Sequence, residues 1–179
     1  MNTLPNDYQN FIALSRYARW LPEKKRRETW KETVARYFDF MEEHLIENTK
    51  LGDVTDKLDP KTRKILEDAV LNLEVMPSMR ALMTAGKALK ENNIAGYNCA
   101  YLSVDHWKAF DECLYVLMHG TGVGFSVERQ FVTKLPEVPP VMVDVDDVVV
   151  VVDSKEGWQS AFRKLITYLY DGEMPKWDF

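Results

Sequence analysis

Asn98-Cys99-Ala100-Tyr101-Leu102 and Gly120-Thr121-Gly122-Val123-Gly124-Phe125-Ser126-Val127-Glu128, with a helical stretch between them, decide how the rest of the sequence is read. Residues 97–103 predict a buried strand. Trp107, Phe110, Leu114, Leu117 and Met118 recur at helical spacing, so 107–118 predicts an amphipathic helix. Glycines mark a loop over 120–124, and 125–127 starts a second strand. Strand, helix, glycine loop, strand is the order of a parallel α/β unit, because parallel neighbours need a long crossover.

Toward the C-terminus, Leu135-Pro136-Glu137-Val138-Pro139-Pro140 breaks regular structure. Residues 148–152 are valine throughout and predict a third strand. A helix follows over 155–170, burying Trp158, Phe162, Leu165, Ile166 and Leu169. The tail Met174-Pro175-Lys176-Trp177-Asp178-Phe179 carries no domain-closing signal. Three strands cannot close a barrel, and a small open parallel sheet leaves an exposed edge. The expected fold is therefore incomplete within this chain.

Toward the N-terminus the sequence reads helical. Asn6 or Asp7 caps a short helix that ends near Trp20, before the break at Leu21-Pro22. A longer helix is expected over 24–48, with Trp30, Val34, Tyr37, Phe38, Met41 and Leu45 on its apolar face and Gly52-Asp53 beyond its end. Pro60 opens a third helix that runs to about Leu73, with Ile65, Ala69, Leu71 and Leu73 as its stripe. Met76-Pro77-Ser78-Met79-Arg80 leads into a short helix that stops at Gly86.

Composition narrows the function classes. The chain has 179 residues, 46% of them hydrophobic, which suffices for a domain-sized core. No window resembles a membrane span, and Met1-Asn2-Thr3-Leu4-Pro5 does not open like a secretory signal, so a cytoplasmic protein is expected. A net charge of −5 argues against a binder of polymeric nucleic acid but leaves room for a mononucleotide. Lys24-Lys25-Arg26-Arg27, flanked by Glu23 and Glu28, reads as a solvated face. The two cysteines, Cys99 and Cys113, form no CxxC, and His44, His106 and His119 lack ligand spacing to either, so no metal site is expected.

Cys113 lies among the apolar residues of the 107–118 helix and reads as packing. By spacing alone Cys99 reads the same way, as a small apolar residue in a strand, with a reactive thiol as the other possibility. The glycine loop has the first two glycines of a dinucleotide fingerprint but precedes a strand, and no Gly-Lys-Ser/Thr follows. A tight helix-to-strand turn and a backbone bared for a ligand both fit it.

Met76-Pro77-Ser78-Met79-Arg80, Asn98-Cys99-Ala100-Tyr101-Leu102 and Gly120–Glu128 in this order resemble the opening of the catalytic barrel of class II ribonucleotide reductases. The likeness is nearest to the monomeric type that reduces ribonucleoside triphosphates. Arg26-Arg27-Glu28-Thr29-Trp30 and Val152-Asp153-Ser154-Lys155-Glu156-Gly157-Trp158 extend it over nearly the whole chain. The resemblance implies an α/β fold: a helical segment over 1–74, then over 75–179 the first strands and helices of a ten-stranded α/β barrel with part of the effector region. It implies reduction of ribonucleotides for DNA synthesis through a thiyl radical started by adenosylcobalamin.

In that reading Cys99 is catalytic, the first of the two reducing cysteines. Ser78, Asn98 and Gly122 contact substrate. Asp105, Arg129 and Lys134 contact a deoxynucleotide effector, the two cations through its phosphates. The thiyl cysteine, the resolving cysteine and most of the cobalamin site have no counterpart in this sequence. The implied partners are a complementary C-terminal reductase part, a ribonucleoside triphosphate, the effector and a thioredoxin-type reductant. The rival reading is a non-catalytic fragment that binds a nucleotide or a partner. A small thiol redox protein is a third, disfavoured because Cys99 has no neighbouring cysteine and no flanking cation.

Overall fold

A computed structural model describes residues 4–48 and 58–178; the expected break at Gly52-Asp53 lies outside the described residues. The chain forms two compact units, Met1–Tyr97 and Asn98–Phe179.

In the first unit, helix α1 (Asp7–Ile12) is capped by Asn6, whose side chain accepts from the Gln9 N–H at 2.9 Å. A wide turn over Ala13–Tyr17 follows, closed by the Ala18 N–H on the Ala13 carbonyl. Strands β1 (Trp20–Leu21) and β2 (Arg26–Arg27) then form an antiparallel hairpin around Pro22, with Lys25 in the left-handed region at φ 48°. The hairpin corrects the expectation of a helix from residue 24. Helix α2 spans Trp30–Asn48, and its start is fixed by a capping box. The Glu32 N–H donates to Thr29 Oγ1 at 3.3 Å, and the Thr29 N–H returns to Glu32 Oε2 at 2.8 Å.

Helix α3 (Pro60–Leu71) begins at Pro60, as expected, and ends two residues earlier than expected; Asp59 caps its start. Short helices α4 (Met79–Thr84) and α5 (Lys87–Glu91) are separated by Gly86 at φ 112°, a conformation that favours glycine. Trp30, Val34 and Phe38 pack with Ala13, Val70 and Leu82 in one core cluster, and Phe40, Ala85, Leu89 and Ala95 form a second. The expected stripes were partly misplaced: Leu45 and Ile65 are exposed, while Phe40 and Val70 face inward.

The second unit contains two parallel β-α-β units. Strand β3 (Cys99–Ser103), helix α6 (Ala109–Met118) and strand β4 (Gly122–Ser126) make the first, with Cys99 opposite Gly122 and Ser103 opposite Ser126. The parallel order matches the sequence reading. Two of the glycines, Gly122 and Gly124, lie inside the strand rather than in a loop before it, and Gly120 alone takes the turn at φ 80°.

After a short helix α7 (Arg129–Val132) and the proline-rich segment, strand β5 (Val143–Val150), helix α8 (Lys155–Asp171) and strand β6 (Glu173–Asp178) make the second. Ser154 caps α8 and Gly172, at φ 82°, ends it. Strand β6 is absent from the sequence reading, and it contains Pro175, a residue that disfavours a strand. The structure accommodates it with a register shift between Asp144 and Val148, opposite that proline.

The buried strand expected at 97–103 is corrected as well. Tyr101 is 67% exposed and Phe125 61%, since each sheet here has two strands and α6 covers one face only. No described helix is long and apolar enough to cross a membrane.

Candidate functional site

Cys99 is the first residue of β3 and its side chain is exposed. It stands in register with Gly122, and the Gly122 N–H donates to the Asn98 carbonyl at 2.9 Å. The parallel pairing therefore brings Asn98, Cys99 and Gly122, separated in sequence by a helix, to one end of one strand pair. A Cβ placed on Gly122 would meet only the Asn98 carbonyl oxygen, at an ordinary 3.7 Å, and one on Gly124 would meet nothing closer than 3.9 Å. Their φ values are not positive. Nothing in the described chain requires glycine at either position, so the backbone beside Cys99 is bare to an incoming group. Cys113, on α6, is half-buried, and burial pushes its thiol pKa up.

Ser78 belongs to the first unit. Its hydroxyl accepts the Ala81 N–H at 3.4 Å as the cap of α4 and donates to the Gly96 carbonyl at 3.5 Å. Of the residues expected at the effector site, Asp105 and Lys134 meet in an ion pair at 3.5 Å. The Lys134 ammonium also lies 5.8 Å from the centre of the Phe131 ring. Arg129 opens α7, with Glu128 as the preceding cap residue. Lys24-Lys25-Arg26-Arg27 is exposed along its length, as a solvated face requires, and pairs locally. Lys24 and Arg26 both bond Glu32, which lowers its pKa well below the ordinary carboxylate range, and Arg27 donates to the Ala18 carbonyl.

The sequence reading missed a buried carboxylate. Asp111 on α6 is 0% exposed, and its Oδ2 accepts from Arg163 Nε at 3.0 Å, Arg163 Nη2 at 2.6 Å and Gln159 Nε2 at 3.0 Å, all from α8. The bond to Asp111 raises the Arg163 pKa. The signal was present: Asp111 falls on the same stripe as Trp107, Leu114 and Met118, where a charge needs a partner. Among the described residues no group of three or more His, Cys, Asp or Glu side chains is arranged to hold a metal ion.

The ribonucleotide reductase alpha domain family matches residues 2–87 of the chain. An adenosylcobalamin-dependent ribonucleoside-triphosphate reductase of Lactobacillus helveticus is 30% identical over 145 residues, 68% of this chain and 19% of that protein. Its counterpart from Lactobacillus delbrueckii subsp. bulgaricus is 29% identical over 178 residues, 82% of this chain and 22% of that protein. A crystal structure of a B12-dependent (class II) ribonucleotide reductase superimposes with a TM-score of 0.75 at 22% identity, covering 94% of this chain and 32% of that one.

The family match and the curated relatives make the chain similar to the ribonucleotide reductases. The curated relatives named here are adenosylcobalamin-dependent, and the solved structure with the same fold is of class II. The chain spans about a fifth of the length of the curated relatives it matches, at 19% and 22%.

Proposed function

We propose that this chain takes part in the reduction of ribonucleoside triphosphates to deoxyribonucleotides, with Cys99 as one of two cysteines that deliver the reducing electrons. The observation that carries the reading is the exposed Cys99 thiol at the head of β3, beside the bare Gly122 backbone. A strand end holds a sulfur rigidly against a reacting carbon. Asn98 and Gly122, and Ser78 from the first unit, contact the substrate. Asp105, Arg129 and Lys134 bind a deoxynucleotide effector, with the two cations on its phosphates. The strands of the second unit are the first of a ten-stranded barrel, and residues 1–74 and 75–179 are its helical and barrel-forming segments.

The balance of the step is simple. Two thiols lose two electrons and two protons and become a disulfide, the 2′ hydroxyl leaves as water, and a hydrogen takes its place on carbon. A thioredoxin-type reductant then reopens the disulfide. Adenosylcobalamin supplies the radical that makes the 2′ carbon reducible, and residues other than those of this chain hold most of it. Besides Cys99 the chain has only Cys113, on a separate helix and half-buried, so the partner thiol and the radical thiol come from a complementary C-terminal reductase part.

The test is complementation. The chain is assayed for deoxyribonucleotide with adenosylcobalamin, a ribonucleoside triphosphate, an effector and thioredoxin, alone and with the rest of a class II reductase. Product is expected only in the complemented mixture. Product from the isolated chain, free of host enzyme, would overturn the need for a partner. None from a correctly assembled complex would favour a non-catalytic nucleotide- or partner-binding fragment.

A further inference from the structure

Helix α4, six residues long, is too short to hold itself in water, yet Ser78 is its N-cap. Its last carbonyls are gripped by two arginines from elsewhere in the unit. Arg36 Nη2 donates to the Leu82 carbonyl at 3.0 Å and Arg36 Nη1 to the Ala85 carbonyl at 2.9 Å. Arg19 Nη2 donates to the Thr84 carbonyl at 3.0 Å. Cations at a helix C-terminus complement its dipole and satisfy carbonyls that lack a partner within the helix.

The arginines are themselves fixed. Glu28, 4% exposed, receives Arg36 Nε at 2.8 Å on one oxygen. The other oxygen takes Arg36 Nη2, the Thr33 hydroxyl and the Arg19 N–H, each at 3.1 Å. Gly86 seals the arrangement: at φ 112° it turns the chain, and a Cβ there would sit 2.8 Å from Arg19 Nη1.

We propose that Glu28 and Arg36 are positioning residues, which hold the C-terminal end of α4 and thereby place the Ser78 hydroxyl for the substrate. This rests on the substrate role assigned to Ser78 above. Arg36 touches no substrate; it acts through the helix. A lysine at 36 keeps the charge but cannot span two carbonyls and a carboxylate at once. Arg63, on α3, is the comparable arginine, ion-paired with Asp39 and Glu42 on α2.

Two measurements test it. Amide hydrogen exchange over 79–84 in the full chain should quicken by about tenfold in Arg36→Lys and stay unchanged in Arg63→Lys. In the complemented reductase, Arg36→Lys should raise KM for the ribonucleoside triphosphate by about tenfold with kcat within about twofold, and Ser78→Ala should do the same. Should Arg36→Lys fold poorly, Arg19→Lys, which loosens a single carbonyl, gives the same signature at smaller amplitude. Unchanged exchange over 79–84 overturns the inference. So does an unchanged KM in Arg36→Lys where Ser78→Ala raises it. If Ser78→Ala itself leaves KM alone, the substrate role of Ser78 falls, and the inference falls with it.

Discussion

The first unit packs Trp30, Val34, Phe38, Val70 and Leu82 into one cluster and Phe40, Ala85, Leu89 and Ala95 into another, whereas the second unit has no such cluster among its described residues. Its buried apolar side chains are Val104, Ala109, Val149 and Ala161, while Tyr101, Phe125, Val143, Val148 and Val150 are more than half exposed. Buried carboxylates do not divide the units. Glu28 meets donors on both oxygens, while Glu42 Oε1 in the first unit and Asp111 Oδ1 in the second are both buried with no hydrogen-bond partner. The helical unit gathers its buried apolar side chains in clusters, and the strand unit keeps open strand faces. Cys99, Gly122 and the three effector candidates all lie in the open one, where surface remains for other groups to approach.

Substitutions in the two buried charge clusters should separate the units most strongly. Glu28→Ala leaves Arg36 without its countercharge and should cost the first unit about 3 kcal/mol. Asp111→Asn should cost the second about 1 kcal/mol, because Arg163 is 40% exposed and water takes over its donors. Denaturant unfolding followed by exchange in each unit measures both. Equal losses would erase the contrast.

The thiols sharpen it next. Cys99 is exposed, whereas Cys113 is half-buried with a raised pKa and so presents less thiolate at any given pH near 8. Iodoacetamide should alkylate Cys99 about tenfold faster or more. Comparable rates would mean that α6 does not shield Cys113.

Smaller effects should follow the local structure. Thr29→Ala removes one side of the capping box and should cost about 1 kcal/mol, read as a lower denaturation midpoint. Val150→Thr, on the open face of β5, should stay within about 0.5 kcal/mol. Val34→Thr, which puts a hydroxyl at a site 1% exposed, should cost about 2 kcal/mol. A large penalty at Val150 would show that the face is already covered.

Local signals carried much of the fold. Asp59-Pro60, Ser154 and Gly172 behave as their capping chemistry requires, and the order strand, helix, glycines, strand does give a parallel pair. What escaped depended on distant partners. The hairpin at 20–27 hides inside a helical-looking charge run, although Thr29-x-x-Glu32 marked the true helix start. Strand β6 exists because β5 shifts register opposite Pro175, which no local pattern around residue 175 encodes. At the candidate site, Cys99 and Gly122 were each visible as types, but their pairing is a property of register. Glu28, Arg36 and Asp111 were missed because an ion pair between helices leaves no spacing rule in the sequence.

The central claim is that Cys99 delivers electrons and Cys113 only packs. Steady-state reduction of a ribonucleoside triphosphate by the complemented enzyme, with thioredoxin, tests it on Cys99→Ser and Cys113→Ser at equal folded fraction. A serine hydroxyl cannot be oxidised to a disulfide, so Cys99→Ser should lose multiple turnover while still binding substrate, and Cys113→Ser should stay within about twofold of wild type. Wild-type turnover by Cys99→Ser, or equal loss in both variants, would contradict the account.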